Sequence, residues 1–168
     1  VGIMDHGKML LQKSLADMQG ATHKLQLVGD APENLEILLT DKSEGMLETA
    51  KAGIGQFQKY FATKNIRFTF KQMEAEDFVS QSRQYDRIIA NHMLFHVLED
   101  KRHQVLENCA KALKKDGMFY ASTVGTTHNR EMYELVKEFD EGMNPPRWVT
   151  GGFELENGGE QLQKVFPQ

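Results

Sequence analysis

The apolar run Leu35-Glu36-Ile37-Leu38-Leu39-Thr40 stops on Asp41, and a carboxylate in that setting is the first residue of this sequence that points to chemistry. The run is too short for a helix, and a new periodicity starts at Glu44; together they read as a buried strand, an acidic tip and a helix. Ligands of open α/β sheets bind just outside the carboxyl ends of the strands, which places Asp41 at a ligand site. Its competing role is structural, because Asp41 or Ser43 can cap the orphan amides of a helix beginning at Glu44. A second such tip is Asn91-His92, at the end of the run Tyr85-Asp86-Arg87-Ile88-Ile89-Ala90. Beyond it, His96 is the best candidate for a general base, since an unperturbed imidazole titrates near pH ~6.5. A histidine packed against that turn, or capping it, is the plainer alternative. His92 and His96 are four residues apart, with Glu99, Asp100 and His103 nearby. No Glu adjoins the first histidine and no third ligand stands at a fixed spacing, so no metal site is assigned.

These tips need elements behind them. Met46, Leu47, Ala50, Ile54, Phe57 and Phe61 mark a helical stripe after Asp41, with Gly53 and Gly55 weakening its middle. Ile66 to Lys71 alternates apolar and polar as a strand with one wet face does, and Met73 to Phe78 reads as an acidic turn. Asp100 to Leu113 puts Val105, Leu106, Cys109, Ala112 and Leu113 on one helical face, and Lys114-Lys115-Asp116-Gly117 reads as a cationic last turn with a glycine stop. Met118 to Val124 is a further strand, and Met132, Leu135, Val136 and Phe139 define the next amphipathic helix. Upstream, Met9, Leu10, Leu11, Leu15 and Met18 predict a helix over His6 to Met18, an atypical segment within 1–33, and Lys24 to Gly29 fits a strand or a turn. After Asn144-Pro145-Pro146, Phe153 to Gly159 reads as an extended piece entering a turn, followed by a helix from Glu160 to Val165. Alternating strand and helix predict an α/β fold with a mostly parallel sheet covered by helices, in a single domain spanning 1–168.

Composition excludes several partners. The formal net charge of -4 leaves no electrostatic footprint for nucleic acid. No apolar run approaches the ~20 residues of a membrane helix. The single cysteine, Cys109, forms no internal disulfide, and the sequence shows no secretory pattern, so the expected setting is cytoplasmic.

Three separated stretches carry a resemblance: Leu38-Leu39-Thr40-Asp41-Lys42-Ser43-Glu44-Gly45-Met46-Leu47, Ile88-Ile89-Ala90-Asn91-His92-Met93-Leu94-Phe95-His96-Val97, and Leu113-Lys114-Lys115-Asp116-Gly117-Met118-Phe119-Tyr120-Ala121-Ser122-Thr123. Their order resembles class I S-adenosylmethionine-dependent methyltransferases over roughly Asn34 to Phe166. The resemblance implies a three-layer Rossmann-like sheet with helices on both faces and S-adenosylmethionine as cofactor. It implies that Asp41, followed by Lys42, accepts hydrogen bonds from the ribose hydroxyls and that Met46 packs near the adenine, although a Met on an apolar stripe is also plain core. Glu74 and Ala75 would meet the adenine edge, where a solvated acidic turn with Glu76 and Asp77 is the simpler reading. Asn91 and His92 would lie beside the methionine moiety and methyl group, with His96 near the acceptor. Trp148, beside Arg147, would line a substrate entrance or serve as a packing anchor.

The sequence departs from that family in two places. The glycine-rich cofactor loop is not found upstream of Asp41, where Gly20-Ala21-Thr22 and Val28-Gly29-Asp30 are the only fragments, and the last two strands of the fold have no counterpart after Phe166. The expectation is therefore an incomplete version of the methyltransferase fold acting on a small-molecule substrate. The alternative is a non-catalytic remnant serving as an interaction protein, whose open strand edges would favour a homodimer.

Overall fold

A computed structural model describes residues 2–5, 8–12, 33–80, 83–142 and 152–166, the first two segments as backbone only. Strand β1 (Gly2–Asp5) pairs antiparallel with β2 (Lys8–Gln12), Gly2 opposite Gln12. This corrects the helix expected over His6 to Met18 within its described part. The contiguous run Met9-Leu10-Leu11 suits a short strand as well as a helix, and a pairing partner four residues long lies just upstream. The strand or turn expected at Lys24 to Gly29, the glycine fragments and Trp148 all lie outside the described residues.

The chain divides into two compact units, Val1–Gln72 and Met73–Gln168. In the first, β3 (Glu36–Asp41) pairs parallel with β4 (Arg67–Gln72), in a register that sets Asp41 opposite Gln72. Parallel neighbours need a crossover, supplied by α1 (Glu44–Gly55) and α2 (Gln58–Thr63). The helical stripe is divided after Gly55, where the glycines weaken it as the sequence predicts. Phe61 and Ile66 form the buried centre, packed by Leu35, Ile37, Ile54 and Phe68. At the opposite end of the strands from Asp41, Asn34 and Asn65 both adopt positive φ, 60° and 51°, and are joined by a bond from Asn65 Nδ2 to Asn34 Oδ1 of 2.7 Å. Asparagine tolerates this region better than most residues, so the pair pins the start of both strands.

In the second unit, β5 (Tyr85–Asn91) pairs parallel with β6 (Leu113–Ser122) across α3 (Glu99–Ala112). The α/β architecture with parallel pairs is thus as expected, and its details correct the sequence reading in three places. First, α3 ends at Ala112 and β6 starts at once, so Lys114 to Gly117 is a bulge in the ladder between the pairs Tyr85–Leu113 and Arg87–Met118. Lys114 Nζ lies 2.8 Å from Asp86 Oδ2, which holds the bulge to β5. Gly117 is required there by close approach and not as a helix stop, because a Cβ would come within 3.0 Å of the Lys114 carbonyl oxygen. Second, β5 is covered on one face only: Ala90 is buried, whereas Ile89 is 71% exposed. Third, the helix expected from Glu160 starts earlier, as α5 (Leu155–Gln163). A capping box outweighs the Gly158-Gly159 pair: the Glu154 carboxylate accepts from the Asn157 amide, and Asn157 Oδ1 accepts from the Glu154 amide at 2.8 Å.

Between β6 and α5 lies α4 (Arg130–Lys137), the predicted amphipathic helix, with Met132, Leu135 and the following Phe139 exposed. The core of this unit joins Ala90, Leu94, Leu106 and Phe153, with the Phe119 and Phe166 rings stacked 4.8 Å apart beside it. No helix among the described residues is long and apolar enough to cross a membrane.

Candidate functional site

The carboxyl end of β3 and the carboxyl end of β5 are the two places where the predicted residues collect, one in each unit. At the first, Asp41 is half-buried and its Oδ1 accepts from the Ser43 amide at 2.8 Å. Ser43 is the N-cap of α1, its Oγ accepting from the Met46 amide at 3.4 Å. The cap is therefore the serine, and Asp41 fixes the turn before it while its Oδ2 bonds no other described residue. The Lys42 carbonyl accepts from Gln72 Nε2 at 3.0 Å, which ties the tip of β3 to the end of β4. Met46 is not core: it is 56% exposed, whereas Leu47 beside it is buried. A carboxylate oxygen, a thioether and the first turn of a helix are thus left together at one strand end.

Glu74 precedes a 3-10 turn, Ala75–Asp77, and its carbonyl accepts from the Asp77 amide at 3.2 Å. The Glu74 side chain is exposed, and Ala75 packs with Phe78 against the Val97, Val105 and Cys109 cluster. Packing against α3 orders the acidic turn, which sequence alone leaves as a solvated segment.

At the tip of β5, Asn91 stands opposite Ser122, and Ser122 Oγ donates a short hydrogen bond to Asn91 Oδ1. The His92 amide donates to both the Ser122 carbonyl and Oγ, each at 3.1 Å, while His92 takes φ 49°. A left-handed non-glycine residue held by two bonds at a strand end is the kind of backbone that accumulates at functional sites. His96 closes a second 3-10 turn, Leu94–His96, its amide donating to the Met93 carbonyl at 2.9 Å. The Phe95 ring contacts both histidines, with centroids 6.5 Å from His92 and 4.3 Å from His96. Asn91, His92 and His96 are thus gathered around one tip. Among the described residues no group of three His, Cys, Asp or Glu side chains could hold a metal ion.

Two residues that support this tip were missed by the sequence reading. Ser122 holds both Asn91 and His92, but only strand register reveals it. Arg102 is 4% exposed and its Nε donates to the Leu94 carbonyl at 3.0 Å; its position on the apolar stripe with Val105, Leu106 and Cys109 was an available signal. The loop after β6 is held as well. Thr123 Oγ1 donates to the Phe153 carbonyl, the Leu155 amide donates to the Val124 carbonyl at 3.1 Å, and Glu156 accepts from the Thr126 amide and hydroxyl at 3.2 Å. Bonds from its own backbone amide and from Thr126 hold the Glu156 carboxyl below its ordinary range.

Comparison with known proteins bears on the family and the fold. The methyltransferase domain family profile matches residues 20–119. A ubiquinone biosynthesis O-methyltransferase from Glaesserella parasuis is 22% identical over 111 residues, covering 55% of this chain and 46% of that protein. Two solved structures resemble the fold. One, from Bacillus halodurans and provisionally described as a methyltransferase, is 13% identical with a TM-score of 0.54, covering 78% of this chain and 52% of that one. The other, from Bordetella parapertussis and provisionally described as exported, is 15% identical with a TM-score of 0.53, covering 77% and 46%. The chain spans about half the length of these relatives.

Proposed function

Because this chain belongs to the methyltransferase domain family, we propose that it binds S-adenosylmethionine and transfers its methyl group to a small-molecule acceptor. The observation that carries the cofactor reading is Asp41, whose Oδ1 is committed to the Ser43 amide and whose Oδ2 has no described partner at the end of a parallel strand. Such an oxygen suits a ribose hydroxyl, and charged hydrogen bonds of this type contribute about 1.5 to 3 kcal/mol. The exposed Met46 thioether, on the first turn of the helix that follows Asp41, suits an adenine face. Lys42 contributes backbone, since its carbonyl is held by Gln72.

When bound, the cofactor supplies a methyl group already activated by a sulfonium, so the chain needs neither a metal nor a nucleophile of its own. What the residues contribute is position and proton handling. On this reading Asn91 and His92, fixed by Ser122, stand at the methyl end of the cofactor. His96 takes the acceptor proton at an imidazole nitrogen. Support for a small acceptor comes from the relative named for ubiquinone biosynthesis.

Calorimetric titration with S-adenosylhomocysteine tests the reading. Binding is expected, and Asp41→Ala should weaken it by about ten- to a hundredfold, the loss of a charged hydrogen bond. No heat and no thermal shift at millimolar ligand would overturn it. One observation favours the alternative of a non-catalytic, oligomeric protein: among the described residues β3 and β5 each have a single hydrogen-bonded neighbour. Strands with an open edge invite a second chain. On that reading light scattering finds a dimer that takes no S-adenosylhomocysteine.

A further inference from the structure

Arg102 and Glu154 are the buried charged side chains among the described residues, and Glu154 is accounted for by its capping box. Arg102 has no such local task. Its Nε donates to the Leu94 carbonyl at 3.0 Å and its Nη2 to the Val97 carbonyl at 2.9 Å, so the two ends of the 3-10 turn that carries His96 hang on one guanidinium. In the other direction, Nη1 donates to the Gly152 carbonyl and to Gln161 Oε1, both at 3.3 Å. The Gly152 carbonyl also accepts from Asn157 Nδ2 at 3.2 Å and Gln161 Nε2 at 3.3 Å, which anchors it to α5. Gly152 lies against the same turn: a Cβ there would stand 3.6 Å from the Phe95 carbonyl oxygen.

All four acceptors are neutral, and burial pushes the guanidinium below its ordinary pKa, opposed by the Glu99 carboxylate. An apolar side chain of similar size would avoid that desolvation, so packing alone does not explain an arginine here. A planar fork with donors on both sides does, because it can bind a turn and a distant segment at once.

We propose that Arg102 is a positioning residue, which sets the His92 to Val97 turn by clasping it to the Gly152–Gln161 segment. The proposal rests on the methyltransferase reading only in taking His92 to stand beside the transferred methyl and His96 beside its acceptor. Through Thr123 and Val124, which bond Phe153 and Leu155, the same segment holds the loop after β6. Arg102 therefore couples the loops beyond both strands of this sheet.

Hydrogen exchange and calorimetry on Arg102→Lys test this. Lysine keeps the charge but replaces the fork by a point donor. The His96 and Val97 amides should exchange about tenfold faster than in the wild type while the Arg67–Gln72 amides are unchanged, and S-adenosylhomocysteine should bind about tenfold more weakly. Ala112→Gly, at the far end of α3, serves as a control that lowers the denaturation midpoint but leaves affinity within about twofold. Wild-type exchange and affinity in Arg102→Lys, or equal losses in the control, would overturn the proposal. If the wild type takes no S-adenosylhomocysteine, the methyltransferase reading falls and the exchange at His96 and Val97 still decides the role of Arg102. Should Arg102→Lys not fold, Gln161→Leu removes one acceptor, and the same amides should exchange about threefold faster; no change would count against the clasp.

Discussion

His92 sits at φ 49° with its amide shared between the carbonyl and hydroxyl of Ser122, and this combination makes side-chain identity at the strand tip a backbone question. A Cβ in the left-handed region costs about 1 to 2 kcal/mol that glycine avoids. His92→Gly should therefore be more stable than His92→Ala by about 1 kcal/mol in denaturant unfolding, and equal midpoints would argue against strain at this position. Ser122→Ala should loosen both Asn91 and His92 at once. Titration of carboxylates gives a second test. The Glu156 carboxyl is held low by its own amide and by Thr126, so its folded pKa lies below its unfolded one. A depressed carboxylate contributes stability above the ordinary glutamate range, and that contribution is lost as pH falls through the folded value. Glu156→Gln should flatten this acid-side fall in thermal midpoint; an unchanged pH profile would contradict the role given to the Thr126 contacts. Asp86, lowered by its hydrogen bond to Lys114, has the same sign.

Elements ended where local chemistry and packing agreed. The strands at Asp41 and Asn91 were readable because an apolar run closed by a polar residue is a local pattern, and α1 was readable from its stripe and from Ser43. The boundaries of β6 and α5 were not. Lys114-Lys115-Asp116-Gly117 looks like a helix end in sequence, yet the partner that turns it into a bulge is Asp86, 28 residues away from Lys114. Gly158-Gly159 looks like a turn, yet the two glycines differ in surroundings. A Cβ at Gly158 would lie 3.0 Å from the ring of Phe153, itself only 2% exposed, while at Gly159 nothing lies within 4 Å. Gly158→Ala should then destabilise by about 1 to 3 kcal/mol through overpacking. Gly159→Ala should stabilise by about 0.5 to 1 kcal/mol, as alanine does inside an exposed helix. The same sign for both would mean that α5 does not pack on Phe153 as described.

For the molecule as a whole, Cys109 reports on opening of the second unit. It is buried in the Val97 and Val105 cluster, and desolvation pushes its thiol up to about 12. Labelling by an aromatic disulfide reagent at neutral pH should proceed only as fast as the unit unfolds and should rise with denaturant; rapid labelling under native conditions would refute that packing. The alternation of strand and helix, the parallel pairs and the two polar strand tips were determined by sequence alone, because apolar periodicity and the residue that ends each run are short-range properties. The N-terminal hairpin shows the limit of that reading, since Met9-Leu10-Leu11 fits either period and the choice fell to a pairing partner. Tertiary structure alone decided that Met46 is open while Leu47 is buried, and that Ser122 and Arg102 hold the β5 tip. Register and burial join residues such as Asn91 and Ser122, 31 apart, or Arg102 and Gly152, 50 apart, and no local pattern encodes a separation of that length.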